Sequence, residues 1–144
     1  MNEFSTDYPG YKPKLATKQT ITFTKDSAGQ NAVAFEVTSW KQAADSGLPL
    51  AAGQLVDSCQ KFTASDEEMA IDFTAERVAP IAIGEKQTAV RLTATYQGAS
   101  VHLTVYEAQV GHNLISMTVS SPEPTDQSAE YKPLLDGIIT KLQA

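Results

Sequence analysis

The sequence predicts an α+β domain, a bent antiparallel sheet of about six strands with helices packed on one face, an α/β sandwich. Three observations predict it. Residues 88–120 read as three patterned strands joined by tight turns at Gln97-Gly98 and Gly111-His112-Asn113. The stretch after Trp40 changes from a period of two to a helical period. The tail after Pro124 carries an amphipathic pattern of its own.

Along the chain, residues 1–17 have no periodicity and carry Pro9 and Pro13, so they read as a flexible leader or tether before one domain spanning 18–144. The domain opens with a hairpin. Ile21 and Phe23 alternate with Thr20, Thr22 and Thr24, and Val33, Phe35 and Val37 alternate with Ala34, Glu36 and Thr38. Asp26 to Asn31 between them is turn chemistry. Leu48, Ala52, Leu55, Cys59 and Phe62 then recur at helical spacing with Pro49 in the first turn, which puts Cys59 on a buried stripe. Met69, Ile71 and Phe73 return to strand alternation, and Pro80 interrupts an apolar stretch ending at Ile83-Gly84. Tyr131, Leu134, Leu135, Ile138 and Leu142 define a terminal helix starting near Pro133, weakened at Gly137.

The central strands carry a parity conflict. Pairing around Gln97-Gly98 sets Val90, Leu92 and Ala94 opposite Val105, Leu103 and Val101 on one face, with Arg91, Thr93 and Thr95 opposite Thr104, His102 and Ser100 on the other. The next hairpin sets Ile115, Met117 and Val119 against Val110, Ala108 and Tyr106, which have the opposite parity to Val101, Leu103 and Val105. Two structures resolve the conflict: a β-bulge near Val105-Tyr106, the favoured reading, or one long strand buried first on one side and then on the other. The bulge gathers Arg91, Thr93, Thr95, His102, Thr104 and Glu107, with Gln109, Ser116 and Thr118, on one polar face. A shallow cleft there would offer Arg91 as a bidentate donor and the threonines as hydrogen-bonding groups to a small polar ligand.

Other chemistry is thin. The net charge is −6, with two arginines, Arg77 and Arg91, and scattered lysines, which excludes the clustered basic face that nucleic acid requires. His102, Glu107 and His112 are the one neighbourhood with metal-ligand types including histidine, yet five residues of extended chain separate two side chains by roughly 16 Å. Asp66-Glu67-Glu68 with Asp72 lacks calcium-loop spacing and reads as a solvated face. Ser58-Cys59-Gln60-Lys61 matches the S-x-x-K pattern of penicillin-binding enzymes but falls within the expected helix and has no partner motifs. No nucleophile–base pair, nucleotide loop or metal motif is present, so no cofactor and no enzymatic activity are expected. The single cysteine excludes an intrachain disulfide.

The order Ile81-Ala82-Ile83-Gly84-Glu85-Lys86-Gln87, strand Ala89-Val90-Arg91-Leu92-Thr93, turn Gln97-Gly98-Ala99-Ser100, then Gln109-Val110-Gly111-His112-Asn113-Leu114-Ile115 and a final helix resembles actinobacterial cell-wall lipoproteins and the extracellular sensor domains of mycobacterial-type serine/threonine kinases, related in fold to PsbP-like domains. The likeness covers about the last 65 residues. It implies an α/β sandwich with a groove, an extracytoplasmic location in the cell envelope or secreted, a lipid-anchored tether upstream, and a non-enzymatic binding or sensing role toward a small polar ligand, a cell-wall component or a protein partner. The kinase sensors use paired cysteines, whereas this chain has Cys59 alone, which favours the lipoprotein branch. The alternative is an intracellular adaptor or immunity-type inhibitor of the same fold, whose acidic balance suits a basic partner.

Overall fold

A computed structural model describes residues 15–24, 31–41, 51–65 and 70–143. The strands are β1 (Leu15–Thr24), β2 (Ala32–Trp40), β3 (Lys61–Ser65), β4 (Ala70–Arg77), β5 (Lys86–Tyr96), β6 (Ala99–Val110) and β7 (Asn113–Ser121); the helices are α1 (Ala51–Ser58) and α2 (Ser128–Gln143). The strands form one open antiparallel sheet in the order β1-β2-β7-β6-β5-β4-β3. The expected α+β class and antiparallel sheet hold, with seven strands rather than about six. The extra strand is β3, where the helical spacing that ends at Phe62 gives way to a strand. The expected leader falls largely on residues 1–14, and these, with the turn at Asp26 to Gln30 and the acidic run Asp66 to Glu68, lie outside the described residues.

The two helices lie on opposite faces, which corrects the expectation that helices share one face. Neighbouring residues of a strand point to opposite sides, and Ala89 and Val90 belong to different cores. Ala89 packs with Phe35, Tyr106, Met117, Tyr131 and Leu135 beneath α2. Val90 packs with Val56, Ala75 and Leu92 beneath α1. The sheet is therefore the middle layer, and its strands are buried on both sides where the helices overlap.

That sandwiching removes the need for a bulge. The register of β6 runs without a shift against both β5 and β7, so the strand is regular at Val105-Tyr106. Leu103 and Val105 face α1, while Tyr106, Ala108 and Val110 face α2, and residues 106–110 are all buried. A one-sided sheet would have forced the bend; a two-sided one accommodates the parity change in a straight ladder. The β5–β6 register matches the sequence pairing throughout, Val90 to Val105 and Thr93 to His102 included. In the β6–β7 hairpin the loop is Gly111-His112, so Ile115 opposes Ala108 and Met117 opposes Tyr106, one pair along from the expected register.

Helix α1 is shorter than its pattern suggested. Ser58 Oγ returns to the Gln54 carbonyl at 2.8 Å, and Gln60 and Lys61 already belong to a strand path, since the Ala75 amide donates to the Gln60 carbonyl at 2.8 Å. Cys59 consequently sits past the helix and half-buried rather than on a core stripe. Helix α2 begins five residues before Pro133. Asp126 Oδ1 accepts the Ser128 amide at 2.8 Å, and Glu130 in the first turn and Lys141 in the last complement the helix dipole. Between β4 and β5, Gly84 takes φ +71°, and an added Cβ would overlap the Gln109 carbonyl oxygen and stand 3.1 Å from Val110 Cγ2. That close approach lets the Glu85 amide bond to Gln109 O at 2.8 Å and holds buried Ile81 against the α2 core.

Candidate functional site

The strand ladder sorts the six sequence-derived candidates. Arg91, Thr93 and Thr95 of β5 and His102 and Thr104 of β6 share the α2 side of the sheet. Glu107 has the other parity and lies on the α1 side, so the expectation that it joins them is corrected. Its inclusion required the bulge. Gln109, Ser116 and Thr118 move to the α1 side for the same reason.

On the α2 side, the core under Tyr131 and Leu135 gives way to polar rows toward the Gln97-Gly98 turn. The register places Glu76, Arg91, Thr104 and Val119 in one row, then Lys61, Thr74, Thr93, His102 and Ser121, then Thr63, Asp72, Thr95 and Ser100. Cross-strand hydrogen bonds knit these rows: Thr93 Oγ1 to His102 Nδ1 at 2.9 Å, Thr95 Oγ1 to Ser100 Oγ at 3.0 Å, and Thr63 Oγ1 to Asp72 Oδ1 at 2.7 Å. Thr93, Thr95, Ser100 and His102 are half-buried, and Thr104 is buried.

Arg91 is less available than its sequence position suggested. Its side chain is 14% exposed and Nη1 reaches Glu76 Oε1 at 3.4 Å. It also sits close enough to Tyr106 and Asp126 to act on both electrostatically. Tyr106 donates its hydroxyl to Asp126 Oδ1 at 3.3 Å. Burial, with the Asp126 charge and hydrogen bond adding to it, pushes the Tyr106 phenol up to about 12. Asp126 is held below the usual carboxylate range, chiefly by its hydrogen bonds to Ser128. Arg91 is thus paired with Glu76 and within electrostatic reach of the segment that starts α2, with Thr104 opposite it in the ladder; Thr93, Thr95, Ser100 and His102 are the half-buried part of the face.

Sequence reasoning missed the β3 and β4 contributions, Thr63, Asp72 and Thr74, and the Tyr106–Asp126 link. The alternation of Asp72 and Thr74 with Ile71 and Phe73 was a usable signal. Nothing in spacing joins Tyr106 to Asp126, which come together through the turn from β7 into α2.

On the α1 side a second polar row crosses the sheet through Glu36, Ser116, Glu107 and Thr88. Glu107 is 6% exposed, and its Oε2 accepts the Ala52 amide at 3.0 Å at the start of α1. Burial raises its pKa, the Ala52 amide opposes that, and Glu36 adds to it. Lys18 Nζ pairs with Glu36 at 2.9 Å. Arg77 anchors α1 from the other side, through Gly53 O at 3.2 Å, Asp57 at 2.6 Å and Thr88 Oγ1 at 3.3 Å. This row fastens the helix to the sheet.

Among the described residues no group of three or more His, Cys, Asp or Glu side chains is placed to hold a metal ion. His102 and Glu107 are on opposite faces, so the one histidine-containing neighbourhood noted in the sequence does not assemble. No protein-family model matches the chain, and no curated protein is significantly similar to it.

Proposed function

We propose that the chain is a non-enzymatic binding or sensing module of a cell-envelope, lipoprotein-like protein, and that its ligand surface is the polar end of the α2 side. The observation that carries this reading is two successive rows of paired hydroxyl and imidazole groups, Thr93 with His102 and Thr95 with Ser100, on a part of the sheet face that neither helix covers among the described residues. Such a ladder presents preorganised donors and acceptors at fixed strand spacing, which suits a hydroxyl- or amide-rich ligand more than an anion. Arg91 is paired with Glu76 and only 14% exposed, so it borders the face rather than offering it a free donor. With Nδ1 engaged by Thr93, Nε2 is the His102 atom that meets a ligand.

The test is a thermal-shift panel of soluble cell-wall fragments and lipid headgroup analogues on wild type, a Thr93→Ala/His102→Ala double variant, and Glu107→Gln as an opposite-face control. The reading expects a ligand that stabilises wild type and Glu107→Gln and loses its effect on the double variant. Equal shifts in all three proteins rule the face out. The envelope assignment has its own check: a signal sequence with a lipobox cysteine encoded upstream of Met1, whose absence from the complete reading frame would remove it.

A further inference from the structure

The two edges of the sheet are unlike. β3, at one edge, is five residues long and carries the exposed Lys61, two features that discourage a further strand. β1, at the other, is ten residues long, and its ladder to β2 runs without a shift from Thr17 to Thr24. All the residues of that ladder are exposed although they are paired with β2. Leu15–Thr24 contains no acidic residue and no proline, and its one charge, Lys18, is paired with Glu36 at 2.9 Å. Among the described residues no strand lies beyond β1. The outer N–H and C=O groups of such a strand are what another strand satisfies group for group.

The side chains carry the same signal. One row of the α2 core crosses five strands as Ala89, Tyr106, Met117, Phe35 and Ile21. The first four are 4% exposed or less, whereas Ile21, at the end of the row, is 54% exposed. The next row ends likewise, with Val119 and Val33 buried and Phe23 47% exposed. Phe23 already sets its ring edge-on to Phe35, with centroids 6.3 Å apart. Both core rows therefore run out to the edge and stop there unfinished, and a strand beside β1 would complete them.

The sequence of β1 selects the occupant, because the strand is its own complement. An antiparallel second copy related by a two-fold axis at Thr22 sets Ile21 opposite Phe23 of that copy, and Phe23 opposite its Ile21. Thr20 meets Thr24, and Thr22 meets its own equivalent. The ladder then holds apolar pairs on the α2 side, threonine pairs on the α1 side and no charge. The unfinished core rows of one copy run into those of the other. A single strand pair buries far less than the roughly 800 Å² per partner of a stable dimer, so the contact is reversible.

From these observations we propose that β1 is a self-association edge, through which two copies pair antiparallel over Thr20–Thr24 about a two-fold axis at Thr22. Each copy has one such edge and the contact uses it on both, so assembly ends at two. The net charge of −6 on each copy opposes the approach at long range, and salt screens it. The edge shares no residue with the polar ladder and is independent of it.

Sedimentation equilibrium of the full chain from about 10 μM to about 1 mM should show monomer and dimer, with a dissociation constant on the order of 100 μM. Association should tighten as NaCl is raised from about 20 to about 300 mM. Concentration-dependent amide shifts of the ¹⁵N-labelled protein should cluster on β1. Thr22→Lys and Thr22→Glu, at an exposed position, each place like charges opposite one another across the axis and should weaken association about fivefold. An equimolar mixture of the two variants should recover it, because lysine then faces glutamate. Tyr96→Lys and Thr93→Ala/His102→Ala should leave it unchanged. A chain still monomeric at about 1 mM, species larger than a dimer, loss of association in Tyr96→Lys, or no recovery in the mixture would each overturn the proposal.

Discussion

Replacing Gly84 with alanine separates two effects that usually travel together. Gly84 and Gly98 both have positive φ, +71° and +81°, so alanine at either is strained by about 1–2 kcal/mol. The surroundings differ completely. At Gly98 an added Cβ meets nothing within 4 Å, whereas at Gly84 it overlaps the Gln109 carbonyl oxygen and crowds Val110. Relief requires the backbone of β6 or of the Ile81–Glu85 segment to move, which typically costs a further 1–3 kcal/mol or so. The Glu85 amide bond to Gln109 would stretch with it. Gly98→Ala should therefore lose about 1.5 kcal/mol and Gly84→Ala about 3 kcal/mol, or roughly 3–6 °C against 6–12 °C in Tm for a chain of this size. Urea unfolding followed by the fluorescence of Trp40, the one tryptophan and a buried one, measures both. The slope against urea should stay constant. If the two variants agree within about 0.5 kcal/mol, the close approach at Gly84 is not energetically real and the reasoning fails.

Three further outcomes follow from the packing and the charges. Leu135 is 1% exposed in the α2 core, so Leu135→Ala should cost about 2–5 kcal/mol by urea denaturation, and a loss under 1 kcal/mol would mean that α2 is not docked there. Glu107 has a folded-state pKa raised above its ordinary value, so the folded chain holds its proton more tightly than the unfolded one. The associated stability is complete below the ordinary carboxylate range and falls as pH rises through the raised pKa. Glu107→Gln keeps an acceptor for the Ala52 amide and removes that slope; its Tm should gain on wild type between pH 4 and 8, and parallel curves would refute the assignment. Arg77→Ala removes the ties to Gly53, Asp57 and Thr88 and should cost about 1–2 kcal/mol, with amide exchange in Ala52–Ser58 accelerating more than in β6.

Much of this architecture was legible where one residue type or one turn decides the geometry. Gln97-Gly98 fixes a two-residue turn, with Gln97 at φ 50° and Gly98 at φ 81°, and every pair of the β5–β6 hairpin follows from it. The first hairpin was equally readable, Ile21 meeting Phe35 and Phe23 meeting Val33 as alternation requires. The parity change inside β6 was also seen correctly. Of its two explanations the favoured bulge is absent and the other holds, one regular strand buried first on one side and then on the other; periodicity reports which residues are buried, never how many layers do the burying. A helix on each face accounts for Val105 and Tyr106 with a regular backbone, and Glu107 then falls on the far side. The same ambiguity hid β3: Cys59 and Phe62 fit a helical stripe numerically, but Phe62 gains its neighbour across the strand pair, from Phe73. Long-range polar links such as Tyr106 to Asp126 leave no local trace at all.

The strand order carries a kinetic consequence. From β3 to β7 each strand pairs with its successor in the chain, a succession of hairpins that close short loops. The one distant partnership is β2 with β7, where Ala32 opposes Ser120. The β3–β7 meander can therefore assemble early, while the β1–β2 ribbon, equally local in itself, has to find its seat across the longest loop in the molecule. Phe35 arrives with that ribbon and completes the core beneath Tyr131. The docking of an already formed hairpin onto β7 is thus the natural late step, and a chain cut between β2 and α1 yields two pieces whose reassociation reproduces that step as a bimolecular reaction.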